Sequence, residues 1–143
     1  MKIRIKRFDK DLPLPKYQTE GAAAFDLTAR EAVTIEPGTV GYIPVNIAVE
    51  TPHDHFLLIA ARSGTHKKGL IMANGIGIVD PDFRGDGDEV KVAYYNFSSL
   101  AVAIEKGERI AQGVFVKISK AEWEETDAMR NKTRGGFGST GEK

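Results

Sequence analysis

The stretch from Gly75 to Gly85, GIGIVDPDFRG, holds the carboxylate that this sequence places best for chemistry. The apolar residues Ile76 and Ile78 alternate along it as in a half-buried strand. Asp80 follows directly at the end of that strand, and the residues after it are typical of a turn. A carboxylate in this position could be held rigidly at the mouth of a cleft. The alternative is a plain β-hairpin with a solvated aspartate, since aspartate is common in turns.

A second stretch whose residues could take part in chemistry is the tail, which reads KTRGGFGSTG from Lys132 to Gly141. Four glycines in ten residues cannot hold a packed element unaided, so composition alone favours a frayed terminus. The same residues are also those that a nucleotide clamp needs. Phe137 could stack on a base, the cations could meet phosphates, and exposed backbone N–H groups could bind anions. Composition leaves both interpretations open.

Composition narrows the classes of function. The chain of 143 residues is one ordinary domain, and its hydrophobic content of 41% is enough for a core. The 20 Lys and Arg residues balance the 20 Asp and Glu residues, which gives no electrostatic case for binding nucleic acid or an anionic membrane. Because there is no cysteine, disulfides and thiolate catalysis are excluded.

The histidines do not predict a metal site, and the start of the chain predicts an ordinary cytoplasmic protein. The run His53-Asp54-His55 lacks a convincing metal-ligand spacing and is typical of a polar turn. No signal peptide opens the chain, and no apolar run reaches the length of a membrane span. We therefore expect a soluble protein of the cytoplasm.

Short alternating runs separated by turn signals predict an all-β fold, a sandwich or a barrel. The segment 22–29 (AAAFDLTA) could form a helix because of its alanines, but Phe25, Leu27 and Ala29 alternate with polar residues and favour a strand. The other predicted strands are residues 2–8, 40–50, 56–60, 76–79, 89–97, 100–104 and 110–118.

Three connections carry specific predictions. Residues 40–50 form one continuous strand. The Lys106-Gly107 turn joins the strands 100–104 and 110–118 into a hairpin. Residues 63–68 form one helical turn, which Gly69 ends.

The character of the sequence changes at about Ser119, where it becomes charged and then glycine-rich. This change divides the chain into a β domain, residues 1–120, and a C-terminal arm, residues 121–143, which carries the possible nucleotide clamp.

Five segments, taken in order, resemble the five motifs of the homotrimeric dUTPase family. Any one of them alone would be weak, because short glycine-rich patterns recur by chance. Five in the family's order, with an all-β pattern between them, make a strong resemblance. The segments are AAAFDLTA (22–29), ARSGTHKKGL (61–70), NGIGIVDPDFRG (74–85), GERIAQ (107–112) and GGFGSTG (135–141).

The resemblance implies a jelly-roll subunit and a homotrimer whose active sites are shared between subunits. It also implies Mg²⁺-dependent hydrolysis of dUTP to dUMP and pyrophosphate. Cleavage between the α- and β-phosphorus needs water oriented in line and neutralisation of the developing charge. Asp80 would orient and deprotonate that water as general base.

The resemblance also assigns the nucleoside contacts. Asn74 and the backbone of Gly77, Ile78 and Val79 would read the edge of uracil, with no fit for cytosine and no room for the methyl group of thymine. The ring of Phe83 would lie against the deoxyribose and leave no room for a 2′-hydroxyl. The family usually has tyrosine there, so this chain keeps the ring and lacks the hydroxyl.

The phosphate contacts implied by the resemblance come from several segments. Arg62, Ser63 and Gly64 would cradle the phosphates, Gln112 would donate from its amide, and Asp26 would approach the metal through water. The alternatives are a surface salt-bridge arginine, a glutamine on a strand face and an aspartate that caps a turn.

Two parts of the chain depart from the family pattern. The segment GDGDE, residues 85–89, is longer than the usual turn, which affects how Lys91 lies beside the phosphates. In the tail, either Lys132 or Arg134 would meet the γ-phosphate. The clamp itself would consist of Arg134, Phe137, Gly138 and Ser139.

Two rival functions follow from the same residues. The dCTP deaminases share the fold and resemble this chain around Asp80, but they need a glutamate in the following strand, where this chain has Ala93. Glu89 is the nearest carboxylate and belongs to a different position of the strand. The second rival is a non-catalytic trimer that binds dUTP or a protein partner. The combination of Asp80, Arg62, Ser63 and Phe137 argues against it.

Overall fold

The computed structural model describes residues 1–138 and 141, and the fold in this part of the chain consists of short β-strands with one 3₁₀ turn. The eleven strands are β1 (Ile5–Arg7), β2 (Phe25–Thr28), β3 (Val33–Ile35), β4 (Val40–Pro44), β5 (Ile47–Val49), β6 (His55–Ala61), β7 (Leu70–Met72), β8 (Gly77–Val79), β9 (Lys91–Asn96), β10 (Val102–Ile104) and β11 (Arg109–Lys117); the 3₁₀ turn is Thr65–Lys68.

The strands form antiparallel sheets that pack around a single core. One sheet has the order β2-β11-β6-β8 and a second has the order β4-β9-β7, while β1 pairs with β5 and β10 pairs with β3. Alternate residues of these strands point inward, as the period of two requires. The core holds Leu27, Ile43, Leu57, Tyr94 and Ile104, all of which are buried. The all-β prediction is confirmed.

The prediction of one strand over residues 40–50 is wrong. The chain breaks after β4, where Asn46 takes a positive φ of 69°. The Asn46 side chain holds this kink by bonding the backbone of Asp9: its Oδ1 accepts from the Asp9 N–H at 2.7 Å, and its Nδ2 donates to the Asp9 carbonyl at 3.0 Å. The kink sends β4 to pair with β9 and β5 to pair with β1.

The predicted hairpin across Lys106-Gly107 is also wrong, although the turn exists. The turn residues bond to Ala29 on another segment: Gly107 N–H donates to the Ala29 carbonyl, and Ala29 N–H donates to the Glu108 carbonyl, both at 2.8 Å. The two flanking strands therefore diverge, so that β10 pairs with β3 and β11 inserts between β2 and β6.

Two local predictions are confirmed. The alanine-rich segment contains the strand β2 and no helix. The helical turn over residues 63–68 is the 3₁₀ turn, and Gly69 ends it with a φ of 82°. A side chain at Gly69 would come within 2.7 Å of Ser98 Cβ, so both the φ and the space require glycine.

The last strand ends at Lys117, and residues 118–138 contain neither helix nor strand. Ile118 N–H still donates to the Asp54 carbonyl at 2.9 Å. Within the described residues, the structure contains no helix with the length and apolarity that a bilayer crossing demands.

Candidate active site

A groove of about 670 Å³ around Asp80, here called the Asp80 groove, gathers most of the predicted nucleoside-binding residues. It lies between the turn that follows β8 and the outer face of β9. Tyr42 and Ala93 contribute to its wall. The predicted site residues that line it are Asn74, Ile78, Val79, Asp80, Phe83 and Lys91.

Strand β8 forms one side of this groove and is an edge strand. Among the strands of the described residues it pairs only with β6, through Gly77 with Ile59 and Val79 with Leu57. The backbone groups on its other edge are left for a partner, as at any sheet edge. Gly77 packs so closely on β6 that a side chain there would come within 3.0 Å of Ile59 Cβ. The backbone of Gly77, Ile78 and Val79, which is predicted to contact uracil, therefore lies at a strand edge that packs closely against β6.

The turn after β8 places Asp80 and Phe83 at the mouth of the groove. Phe83 N–H donates to the Asp80 carbonyl at 3.1 Å, and Arg84 N–H donates to the Asp82 carbonyl at 3.0 Å. The Phe83 side chain is 41% exposed. The Asp80 carboxylate is exposed and forms no hydrogen bond or ion pair with any residue that the structure describes. It is available to a water molecule or a ligand.

Glu89 also lines the groove, but its carboxylate is engaged. Oε1 accepts from Arg30 Nε at 2.7 Å and from Asn46 N–H at 3.0 Å, while Oε2 accepts from Arg30 Nη2 at 3.0 Å. A carboxylate fixed by a bidentate arginine is suited to hold the loop and poorly suited to shuttle protons. Ala93 offers no carboxylate, so the described residues supply no deaminase-type glutamate.

A separate group, here called the charged cluster, contains three predicted site residues, Asp26, Arg62 and Gln112, together with Arg109, which was not predicted. Arg62 Nε forms an ion pair with one Asp26 oxygen at 3.0 Å, and Arg109 Nη1 donates to the other oxygen at 3.1 Å. The Asp26 side chain is only 11% exposed. Arg62 Nη1 also donates to the Arg109 carbonyl at 3.3 Å. Both guanidinium groups are thus fixed in place before any ligand binds.

Strand pairing explains how the cluster forms. Gln112 on β11 is opposite Asp26 on β2 and opposite Ala60 on β6, so these residues share one face of the sheet. Gln112 Nε2 donates to the Ala61 carbonyl at 2.9 Å, beside Arg62. Gln112 therefore lies on a strand face beside Arg62, and its role as a phosphate ligand stays a prediction.

A cleft of about 290 Å³ adjoins the charged cluster and contains Arg62, Ser63 and Gly64. Tyr94 forms its floor and donates from its hydroxyl to the Ile110 carbonyl at 2.5 Å. Burial raises the pKa of Tyr94, although Thr65 and Arg62 oppose the rise. A neutral, hydrogen-bonded phenol below two arginines gives the cleft a positive rim and an uncharged floor.

The Asp80 groove and the charged cluster lie at opposite ends of β6. Val79 pairs with Leu57, which sets Asp80 level with Phe56, whereas Arg62 lies six residues further along (62 − 56). At the rise of an antiparallel strand this separation is roughly 20 Å. One copy of the chain does not bring Asp80 together with Arg62, Ser63 and Gln112.

The donor set bears on the predicted Mg²⁺. Among the described residues, no group of three or more His, Asp or Glu side chains could cage a metal ion. Magnesium commonly keeps several waters and binds through one or two carboxylates and the phosphates of a substrate. Asp26, the carboxylate beside the cleft that contains Arg62 and Ser63, already has an arginine at each oxygen, which suits contact with a metal through water rather than direct coordination.

The tail residues lie apart from both groups. Phe137 is fully exposed with a φ of 50°, and Gly138 has a φ of 85°. Lys132 and Arg134 are exposed as well. Ser139, the remaining clamp residue, lies outside the described residues.

Several residues of the cleft were not assigned a role from the sequence, among them Thr65, Tyr94 and Arg109. Arg109 carried a signal, because it lies inside the GERIAQ segment three residues before Gln112. Tyr94 carried none, since an aromatic in an alternating strand predicts only a core position.

Comparison with known proteins identifies the family. The profile of the dUTPase family matches residues 10–141. The deoxyuridine 5'-triphosphate nucleotidohydrolase of Helicobacter pylori strain P12 is 42% identical over 144 residues, which cover 99% of this chain and 97% of that protein. The protein of the same name from Hydrogenobaculum sp. strain Y04AAS1 is 42% identical over 147 residues, 100% of each chain.

Solved structures of dUTPases have the same fold as this chain. The dUTPase of Staphylococcus bacteriophage 80alpha, solved with dUpNHpp, matches with a TM-score of 0.86 over 98% of both chains at 24% identity, which shows a shared fold. The dUTPase from Streptococcus mutans matches with a TM-score of 0.75 at 27% identity and covers 83% of this chain and 98% of that one. The predicted jelly-roll subunit is thereby confirmed.

Proposed function

The chain belongs to the dUTPase family and is a dUTP nucleotidohydrolase, and from this premise we propose that Asp80 is the general base. It deprotonates a water that attacks the α-phosphorus of Mg²⁺-bound dUTP and releases dUMP and pyrophosphate. The observation that carries this assignment is the Asp80 carboxylate itself, which is exposed at the groove mouth and free of any described partner.

Selection of uracil is assigned to β8 and Asn74. The free edge of an edge strand offers a fixed alternation of N–H donors and carbonyl acceptors, which suits the edge of uracil and mismatches cytosine. Each buried donor or acceptor left unpaired costs about 1–3 kcal/mol, so two mismatches discriminate by orders of magnitude. Gly77 keeps this edge rigid through its close packing on Ile59.

Selection of deoxyribose is assigned to Phe83. Its half-exposed ring lies at the mouth of the groove, three residues after Asp80. A flat ring against the sugar leaves no room for a 2′-hydroxyl, and this function needs the face of the ring rather than a phenolic hydroxyl.

Binding of the triphosphate is assigned to the charged cluster and its cleft. Arg62 supplies charge, Ser63 and Gly64 supply a hydroxyl and backbone donors, and Gln112 supplies an amide. Mg²⁺ carried by the phosphates would neutralise their charge, with Asp26 facing it through water. Lys91 supplies a cation on the side of the Asp80 groove.

We infer that the working enzyme is a homotrimer in which one copy supplies the Asp80 groove and another supplies the charged cluster. The separation of roughly 20 Å within one chain supports this arrangement, since one substrate must contact both. A closed ring of copies forms such a shared site at each interface.

The tail and the location in the cell complete the proposal. The division at about residue 120 sets the β domain apart from an arm whose Arg134 (or Lys132), Phe137, Gly138 and Ser139 close over the bound nucleotide. A cytoplasmic location stays a prediction.

The site of attack can be tested with isotopically labelled water. Attack on the α-phosphorus leaves the label in dUMP, whereas attack on the β-phosphorus leaves it in pyrophosphate. The proposal expects label in dUMP only, and label in pyrophosphate would overturn it. The same assay with dCTP, dTTP and UTP tests selectivity, with release of ammonia from dCTP as the mark of the deaminase alternative. Turnover without any divalent cation would overturn the assignment of Mg²⁺.

A further inference from the structure

Arg84 ends the turn that carries Asp80 and Phe83, but its side chain lies on the other side of that turn from the Asp80 groove. It lines a separate cavity of about 240 Å³, together with Lys6 and Glu50. Its Nη2 donates to the Thr51 carbonyl at 2.7 Å. A side chain in this place does not reach a nucleotide in the groove.

Thr51 is a firm anchor for that bond. It is 1% exposed and lies two residues after β5, where the preceding Glu50 N–H donates to the Arg4 carbonyl at 3.0 Å. The Arg84 bond therefore joins the turn to a part of the β-body that is 33 residues distant in sequence.

The other side-chain contacts that hold this loop involve residues that follow Arg84. Gly85 N–H donates to Asp88 Oδ2 at 2.7 Å, and Lys6 Nζ pairs with Asp86 Oδ1 at 2.8 Å. These contacts fold the long GDGDE segment onto itself and onto β1. Within residues 80–84, the Arg84–Thr51 contact is the one side-chain hydrogen bond to the body among the residues that the structure describes.

We propose that Arg84 is a positioning residue for sugar selection, which acts by fixing the neighbouring Phe83 ring against the site of the deoxyribose. Phe83 is 41% exposed, so packing covers only part of its ring, and the backbone bond to Asp80 fixes the turn only relative to itself. When the Arg84 bond is lost, the ring gains the freedom to move aside for a 2′-hydroxyl. The inference rests on the proposed role of Phe83.

One donor is enough for this function. Arg84 Nε is buried without a hydrogen-bond partner in the described part of the chain, so a single N–H group of the guanidinium carries the link to Thr51. Lysine can supply one donor at similar reach, whereas methionine keeps the apolar stem and supplies none.

The test compares kcat/KM for dUTP and UTP in Arg84→Met, Arg84→Lys and Lys6→Met. We expect Arg84→Met to lower the dUTP/UTP ratio about tenfold, in keeping with the loss of a charge-assisted hydrogen bond. Arg84→Lys should restore the ratio to within about threefold of the parent because one donor remains. Lys6→Met, which removes the exposed contact to the same loop, should leave the ratio unchanged. If the methionine variant does not assemble, Arg84→Gln, which is too short to reach Thr51, replaces it.

The Phe83→Ala background separates this inference from the proposed function. If Phe83→Ala itself leaves the dUTP/UTP ratio at the parent value, the sugar-gate assignment fails. If Phe83→Ala lowers the ratio and Arg84→Met does not, the inference alone is overturned. Arg84→Met should have no further effect on the ratio in the Phe83→Ala background, because both changes remove the same constraint. A further drop of the same size there would show that Arg84 acts independently of Phe83 and would also overturn it.

Discussion

The Asp80 groove and the charged cluster lie at the two ends of the same strand and are built in opposite ways. In the cluster, the charges are paired in advance, since Asp26 holds Arg62 and Arg109 at 3.0 and 3.1 Å. In the groove, the Asp80 carboxylate is open, and its neighbours are a strand edge and an aromatic ring. The first arrangement suits an anion with many contacts, and the second suits a flat polar base and one reactive water. Under the proposed function, neither half is an active site by itself.

Asp80→Asn should produce the largest effect, because it removes the base from one half and leaves the other half intact. We expect turnover of dUTP to fall about thousandfold, in the range for loss of a general base. Binding of a non-hydrolysable dUTP analogue should stay within a few-fold of the parent, because shape and hydrogen bonding are kept. Steady-state kinetics and calorimetry measure the two quantities. Turnover within tenfold of the parent would sink the assignment of Asp80.

Removal of the residues after Asn131 tests whether the two halves need a third contributor. Ordering ten tail residues costs on the order of 10 kcal/mol of backbone entropy, and base stacking of about 1–3 kcal/mol does not cover it. Phosphate contacts must supply the rest, so the loss of kcat/KM should be about hundredfold or more. Thermal stability and assembly should be unchanged, since residues 118–138 add no strand or helix to the core. Full activity of the truncated chain would reduce the tail to a frayed terminus.

Changes at Phe83 alter one wall of the Asp80 groove and should have an effect of intermediate size. Phe83→Ala should reduce the preference for dUTP over UTP about tenfold, a small steric difference by the standards of binding pockets. Phe83→Tyr should be nearly neutral, because the ring face is kept. Comparison of Phe83→Ala with Phe83→Tyr separates the effect of the ring from that of a hydroxyl. A large loss of the preference for dUTP in Phe83→Tyr would contradict a role for the ring face.

Tyr94→Phe, beneath the charged cluster, should have the smallest effect on catalysis and a visible effect on stability. It removes the buried bond to the Ile110 carbonyl and should lower the free energy of unfolding by about 1–2 kcal/mol. Burial raises the pKa of Tyr94 above its ordinary value of 10.0, so its neutral form is favoured by folding. This contribution is complete below about pH 10 and is lost as the pH rises through the raised pKa. Chemical denaturation between neutral and alkaline pH should show the parent and variant converging.

The sequence predicted the groove more fully than the cluster because the groove is local. Asn74, Asp80 and Phe83 lie within ten residues of one another, so one segment carries both their identity and their placement. The Asp26–Arg109 contact joins residues 83 apart and depends on β11 lying between β2 and β6. Alternation predicts that a strand exists but not which strand it pairs with. The same limit explains the wrong hairpin at Lys106-Gly107.

The prediction of one continuous strand across Asn46 was wrong for a different reason. Apolar alternation continues across residues 40–50, and the kink comes from a left-handed residue whose side chain bonds the distant Asp9 backbone. Asparagine tolerates that conformation better than most residues, but its presence alone does not require it.

The proposed function requires each active site to combine the Asp80 groove of one copy with the charged cluster of another. Asp80→Asn and Arg62→Gln chains, each nearly inactive alone, are co-expressed with different affinity tags, and the mixed assemblies are purified. In each purified mixed trimer, whichever of the two chains is present twice, roughly one site in three should pair an intact Asp80 with an intact Arg62.

We predict recovery of roughly that fraction of parent activity. Co-assembly of Arg62→Gln with Gln112→Ala, which damage the same half, is the control and should give no gain over the separate variants. If the mixed assemblies of Asp80→Asn and Arg62→Gln likewise show no gain, the two halves act within one chain and the active site is not shared between copies.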